Sequence, residues 1–343
     1  MDAVQEIEGD LMIEGRNMDP ADPVRDLRPL RNLTRVTGNL RLDNADSVRS
    51  LEPLSNLRSV GANFFIGHND NVSSLAPLRN VRHFGRALFV QDNDRLKSLD
   101  GLQGLRTVPR SLLQIALNDS LQSLHGLENL TTDDEGSPFD HRVEIVQNPR
   151  LQALDGIDNL RRVGDLRIAG NEALYDIGAL QGLRSAREIS IGLCPLLQDL
   201  SALSGLDSCT ALVLFGLPVT NLTPLANVAV GSFQLVDLPM ADFAALSGVV
   251  ELRSLAIQKL PFVTNLRGFE NLERLGYFFI LENPLLASLE GLDKLQSLKY
   301  LRIRGNGDLC ADAIDSWLAN VTVESEPLID DNGVNCQLDA RSH

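Results

Sequence analysis

Lysine, tyrosine and tryptophan are scarce in this chain, and it has no long apolar run. There are four lysines (Lys97, Lys259, Lys294 and Lys299) against 27 arginines, with three tyrosines and one tryptophan in 343 residues. The excess of arginine over lysine fits a GC-rich, bacterial coding sequence. With 46 acidic against 31 basic residues the formal charge is −15. The clustered cations that would displace counterions from nucleic-acid phosphates are therefore missing, and anionic lipid surfaces are disfavoured for the same reason. No stretch of 18 or more apolar residues is present to span a bilayer, and Met1 leads into acidic, repeat-like sequence instead of a basic and apolar leader. The expectation is a protein that binds no nucleic acid and inserts into no membrane, either cytosolic or already freed of its signal.

Signatures of catalysis are missing too. The chain has no G-x-S-x-G, no H-E-x-x-H, no G-x-x-x-x-G-K-[ST], no G-x-G-x-x-G after a strand and no paired C-x-x-C. His68, His83, His125 and His141 fall at different registers, so no convergent set emerges for a metal or a general base. The sequence is read as non-enzymatic, with no cofactor, no metal and no catalytic residue.

What the chain does have is a period. An apolar-x-apolar core recurs at Leu11/Ile13, Leu40/Leu42, Phe64/Ile66, Leu88/Val90, Leu113/Ile115, Val143/Ile145, Leu166/Ile168 and Ile189/Ile191. It continues at Leu212/Leu214, Phe233/Leu235, Leu255/Ile257, Phe278/Ile280 and Leu301/Ile303. That makes 13 turns, with second members 21 to 30 residues apart and 23 the commonest interval. Another apolar residue usually follows six positions later, as at Val48, Val72, Leu96 and Leu121, and L-x-x-L-x-x-L steps such as Leu99, Leu102 and Leu105 turn the chain back. One turn cannot close a core alone, so burial must come from stacking, and the strands should form a long parallel sheet.

Three residues after each anchor lies a column reading Ala45, Asn69, Asn93, Asn118, Asn148, Asn171, Cys194, Leu217, Leu238, Leu260, Asn283 and Asn306. A buried carboxamide there can satisfy backbone groups left unpaired where the coil bends. The three successive leucines predict a dry, repacked corner. This column, the segments SLDGLQGL and ALDGIDNL, and the strand ends LRIAGN and LRIRGN resemble the receptor L-domain branch of the leucine-rich-repeat superfamily. The resemblance covers roughly residues 7 to 310 and implies a right-handed repeat solenoid with a long parallel β-sheet, few helices and a C-terminal helical cap. It also implies ligand recognition on the broad sheet face. The expected division is a solenoid over 1–309 and a cap and tail over 310–343.

Two insertions interrupt the period, one near Arg16 to Pro23 and one, TTDDEGSPFD, over Thr131 to Asp140. The first lengthens the first turn; the second, acidic and turn-rich, is read first as a tolerated surface insertion, ahead of a recognition element. Cys194 stands in the asparagine column and Cys209 in the apolar column of Ala186 and Leu252, so both are expected to be buried free thiols. Cys310 and Cys336 bracket a segment whose Ala313, Ile314, Trp317 and Leu318 share one face of a short helix. A disulfide between them would fasten the cap, adding roughly 3 kcal/mol.

Four residues after the anchors, Asp46, Asp70, Asp94 and Asp119 give way to Pro149, Glu172, Pro195, Pro218, Pro239, Pro261 and Pro284. The exchange of Asp for Pro marks a position chosen for turn formation, and this reading stands ahead of a Ca²⁺ site built on the four aspartates. Sequons at Asn32, Asn71, Asn118, Asn129, Asn221 and Asn320 are read as by-products of the repeat, since Asn118 should be buried.

Residues flanking the buried anchors point outward. Toward the N-terminus these include Arg41, Phe65 and Phe89, with both phenylalanines in one column. Farther along come Val213, Phe215 and Val236, then Tyr277, Phe279, Leu281, Tyr300, Arg302 and Arg304. Aromatics and arginine dominate interaction hot spots, which makes this face the candidate ligand-binding surface. The function expected is a ligand-binding module for a protein or glycan, secreted or at the cell surface. The alternatives are a structural adhesin or envelope spacer, and the sensor region of an intracellular, cytoplasmic effector.

Overall fold

An apolar residue at every second position buries one face of an extended strand and leaves the other in solvent. The computed structural model, which describes residues 4–15, 27–45, 47–108, 110–132 and 141–333, shows this pattern turn after turn. The insertion at Thr131 to Asp140 lies outside the described residues except for its first two positions, and Arg16 to Pro23, Asp46 and Cys336 lie wholly outside them. Two units divide the chain, Met1–Leu206 and Asp207–His343.

In the first unit the strands Leu11–Glu14, Leu40–Asp43, Phe64–Gly67, Ala87–Gln91, Leu112–Ala116, Arg142–Val146, Arg162–Ala169 and Ser185–Gly192 pair in parallel, each with the next in sequence. Their register is in step with the sequence period: Leu42, Ile66, Val90, Ile115, Ile145, Ile168 and Ile191 lie side by side, all buried. A second, shorter parallel ladder joins Glu6–Ile7, Arg35–Val36, Ser59–Val60 and His83–Phe84. Between the ladders the chain returns through single 3-10 turns, three of which (Arg28–Leu30, Glu52–Leu54 and Ala76–Asn80) carry proline in the first two positions. Proline suits that place because its fixed φ begins a turn and its missing N–H was unsatisfied anyway. Where the return instead reads Asp-Gly, the glycine is required: Gly101 has φ +119°, and a Cβ there would lie 1.8 Å from the carbonyl oxygen of Leu75.

The asparagine column is a continuous hydrogen-bonded ladder. Asn118 accepts from the backbone N–H of Asn93 at 3.2 Å and donates to the carbonyls of Val90 and Ala116 at 3.0 and 2.9 Å. Asn69 and Asn148 repeat the scheme, whereas Asn93 donates to Ile66 O and Gln91 O and accepts from the Asn69 side-chain Nδ2 at 3.4 Å; all are buried. The residue before each rung adopts a left-handed conformation, as at His68 (φ 54°), Asp92 (φ 53°) and Leu117 (φ 57°), which reverses the chain out of the strand. Cys194 replaces a rung; its buried thiol donates to Gly192 O at 3.3 Å. Burial pushes that thiol's pKa up, against smaller opposing hydrogen bonds from the Asn171 and Gly170 amides.

The second unit repeats the design with Ser208–Phe215, Ser232–Val236, Glu251–Gln258, Arg274–Leu281, Tyr300–Arg304 and Leu328–Asp330 in parallel order. Leu217, Leu238 and Leu260 fill the rung positions and are buried, so this stretch is dry as expected. The ladder resumes where Asn283 accepts from the Leu260 amide at 3.0 Å. Cys209 is buried, its thiol donating to Ala211 O at 2.9 Å. The helix Ala311–Leu318 buries Ile314 and sets the Trp317 ring edge-on to Phe278, with centroids 6.5 Å apart. Beyond it the chain adds one more turn than the sequence revealed: Ile329 pairs with Ile303, and Asn332 becomes a further rung, accepting from the Asn306 amide at 3.1 Å and donating to Ile303 O. The signature was hidden because Pro327 stands where the first apolar anchor would be.

Candidate binding face

In the first unit one outward column reads Met12, Arg41, Phe65, Phe89, Gln114, Glu144, Arg167 and Ser190. Arg41, Phe65 and Phe89 come together. The Arg41 guanidinium carbon lies 4.3 Å from the Phe65 ring centre, and the Phe65 and Phe89 rings are 6.0 Å apart. Glu14 and Asp43 hold Arg41 from the neighbouring column, with Nε 3.1 Å from Glu14 Oε1 and 3.2 Å from Asp43 Oδ2. His68, absent from the residues expected on this face, stacks on Phe65 and places Nδ1 2.7 Å from Asp43 Oδ1. Burial works to raise the pKa of Asp43, but the hydrogen bonds and charges of Arg41 and His68 outweigh it and hold the carboxyl below its usual range. A groove of about 440 Å³ runs past Met12, Asn39, Arg41, Phe65 and Phe89.

Farther along the same unit several outward polar side chains pair with one another. Gln114 donates to Glu144 at 2.7 Å, Arg142 reaches Asp165 at 3.3 Å, and Arg187 clasps the same carboxylate from the other side. These five side chains are committed to one another, whereas Arg167 and Ser190, in the column of Gln114 and Glu144, have no side-chain partner among the described residues.

The second unit differs. Tyr277 and Tyr300 are cross-strand neighbours with rings 6.5 Å apart, and Phe279 lies 5.5 Å from Tyr300, so three aromatic rings form one exposed or half-exposed cluster. Arg302 stands directly beside Phe279 in register, and its Nε is buried without a hydrogen-bond partner among the described residues. Arg304, one column over, is committed to Asp330 and Asp331 at 3.7 and 3.1 Å. Phe215 shares the Arg304 column but sits three strands before Leu281, separated from the aromatic cluster. On this unit, then, Tyr277, Phe279, Tyr300, Arg302 and Arg304 come together and Phe215 does not.

Two further sequence features have definite surroundings. Asp94 has its pKa raised by desolvation first and then by the charges of Asp119, Asp70 and Asp92. Among the described residues no group of three or more His, Cys, Asp or Glu side chains is arranged to hold a metal ion. No helix among them is long and apolar enough to cross a membrane.

In-step parallel strands, short returns and an asparagine ladder define a leucine-rich-repeat fold of the receptor-L-domain kind. Residues 5–103 match the Receptor L domain family. No curated protein is significantly similar to the chain. Among solved structures, an internalin (InlF) of Listeria monocytogenes is similar at 18% identity, covering 93% of this chain and 81% of its own, with a TM-score of 0.48. A leucine-rich-repeat protein of Leptospira interrogans (15% identity, 87% and 91% coverage, TM-score 0.31) is also similar. So is the functional domain of InlJ from Listeria monocytogenes, described as including a cysteine ladder (16% identity, 87% and 69% coverage, TM-score 0.30).

Proposed function

We propose that the chain is a non-enzymatic protein-interaction module, secreted or displayed at a cell surface, whose outward sheet faces dock a protein partner. The observation that carries this reading is the cluster of Tyr277, Phe279 and Tyr300 around an arginine with an unsatisfied buried nitrogen. The Arg302 guanidinium has no hydrogen-bond partner among the described residues and could take a partner's carboxylate or carbonyl, and aromatic rings already packed on each other lose little freedom on binding. Arg41, Phe65 and Phe89 give the first unit a smaller apolar platform of the same kind.

The reading includes a covalent cap. Residues 310–343 close the C-terminal end of the solenoid, fastened by a Cys310–Cys336 disulfide, which requires an oxidising compartment. Thiol labelling of freshly isolated, unfolded protein should count two free cysteines, Cys194 and Cys209; four would place the chain in a reducing compartment and favour the intracellular sensor.

For the docking face, partners captured on immobilised protein are identified by mass spectrometry and titrated against purified variants. Tyr300→Ala combined with Arg302→Ala should weaken binding by about tenfold or more, and Phe65→Ala with Phe89→Ala by a smaller factor. Arg267→Ala, on a return segment, should leave it unchanged. Full affinity in both face variants would remove the sheet face from the interaction.

A further inference from the structure

Between the aromatic cluster and the first strands of the second unit, the sheet face sinks into a trough of about 320 Å³. Its shape follows from side-chain size: Ser232 and Ser254 are neighbours in one outward column, and Gln234, Ala256 and Phe279 are successive members of the next. Small residues on the middle strand make the floor, and Phe279, braced by Tyr300 at 5.5 Å, makes a wall. Gln258, on the floor strand, adds a second carboxamide to the lining.

The lining is chemically unusual for this chain. With a net charge of −15 overall, not one charged side chain borders the trough. Ser232, Gln234, Ser254 and Gln258 have no side-chain hydrogen-bond partner among the described residues. Two carboxamides and two hydroxyls thus present both donors and acceptors, uncommitted, beside a fixed aromatic ring. A partner's aliphatic side chain could lie on Val213 and Leu281, which also line the trough, but it would strip water from the four polar groups without replacing their hydrogen bonds, at about 1–3 kcal/mol per unsatisfied group. A carboxylate or phosphate would find no cation and would approach against the field of the whole chain. A neutral polyol ring answers both demands: each hydroxyl donates and accepts, and its C–H face can lie on the Phe279 ring.

We propose that this trough is a binding site for a neutral saccharide. Gln234 and Gln258 take ring hydroxyls in paired donor–acceptor fashion, Ser232 and Ser254 supply the shorter contacts, and Phe279 stacks on the apolar side of the sugar. Gln234 and Phe279 are two strands apart, about 10 Å, and the trough volume is at the lower end of the range for small-ligand sites, which suits a mono- or disaccharide. The site shares Phe279 with the protein-docking face, but its polar contacts are neutral groups that the Tyr300 and Arg302 anchor does not use.

The test is saturation-transfer NMR followed by calorimetry on the full chain with maltose, cellobiose, lactose and N,N′-diacetylchitobiose. At least one should bind with a Kd of roughly 0.1–10 mM, as expected for a shallow site. Ala256→Leu, which fills the floor, should abolish binding, and Gln234→Ala with Gln258→Ala should weaken it about tenfold. Should Ala256→Leu disturb folding, Gln234→Ala alone carries the test, since that side chain is exposed and has no hydrogen-bond partner among the described residues. Arg302→Ala alone, outside the trough lining, should lower protein-partner affinity and leave the sugar bound, so the two readings fail separately. If none of the four sugars binds, or if the filled and carboxamide-free variants bind as the unaltered chain does, the saccharide site is wrong.

Discussion

Asn118 shows how much one side chain does in this fold. It is fully buried, yet it accepts from the Asn93 amide and donates to two carbonyls on different turns. Removing the carboxamide orphans those backbone groups in a dry interior, so Asn118→Ala should cost about 3 kcal/mol, read as a lowered denaturant midpoint. Asn118→Asp should cost as much or more, because a carboxylate cannot donate. The same burial answers the sequon at this position, since a glycan cannot be carried by a side chain with no solvent exposure. Asp94 is the opposite case. Its pKa is raised, so its ionised form is disfavoured in the folded chain: the fold is relatively favoured below the ordinary carboxylate range and loses that advantage as pH rises through the raised value. Asp94→Asn keeps a side-chain oxygen able to form the turn and removes the repelling charge. It should raise the melting temperature at pH 7 by a few degrees at most, with the gain fading below about pH 4. A Ca²⁺ ion held by this column would reverse the sign, and chelator would then lower the melting temperature of the unaltered chain.

At the scale of elements, the strands were legible because their cause is local. An apolar-x-apolar pair every 21 to 30 residues needs nothing but its own pattern to say which side is buried, and the in-step registers follow from it. The ladder was legible for the same reason, down to the dry stretch at Leu217, Leu238 and Leu260. The final turn was not, because Leu328–Asp330 is an exposed edge with Pro327 at the anchor position and so carries no burial pattern. Most of the outward aromatic pairs could be named from column positions alone. The ionic grip of Asp43 on Arg41 and His68 could not, since it depends on rotamers across two columns. The trough was equally hidden: it is made by what Ser232, Ser254 and Ala256 fail to fill. The helix Ala311–Leu318 makes its own prediction. Trp317 buries Nε1 without a hydrogen-bond partner among the described residues while its ring packs edge-on to Phe278. Trp317→Phe should be neutral or stabilising by up to about 1 kcal/mol, because it deletes an unsatisfied donor and keeps an aromatic contact. Trp317→Ala should cost about 3 kcal/mol, and thermal melts of the pair separate packing from polarity.

For the molecule as a whole, charge decides how ligands of each class arrive. A net charge of −15 sets up a repulsive potential for anions at long range, and salt screens it beyond roughly 10 Å at 0.1 M. A neutral sugar feels neither the field nor its screening, and the trough it enters contains no ion pair to be broken. Its Kd should therefore change less than about twofold between 0.02 and 0.5 M sodium chloride. Binding through Arg302 is different in kind, because a partner carboxylate meets a single cation on an acidic molecule. Its association rate should rise as salt screens the like-charged background, whereas contact with a basic partner surface would slow instead. Stopped-flow association of the captured partner across that salt range, run beside sugar calorimetry on the same protein, tells the cases apart. A sugar affinity that fell steeply with salt would mean that the saccharide contacts charged groups outside the trough.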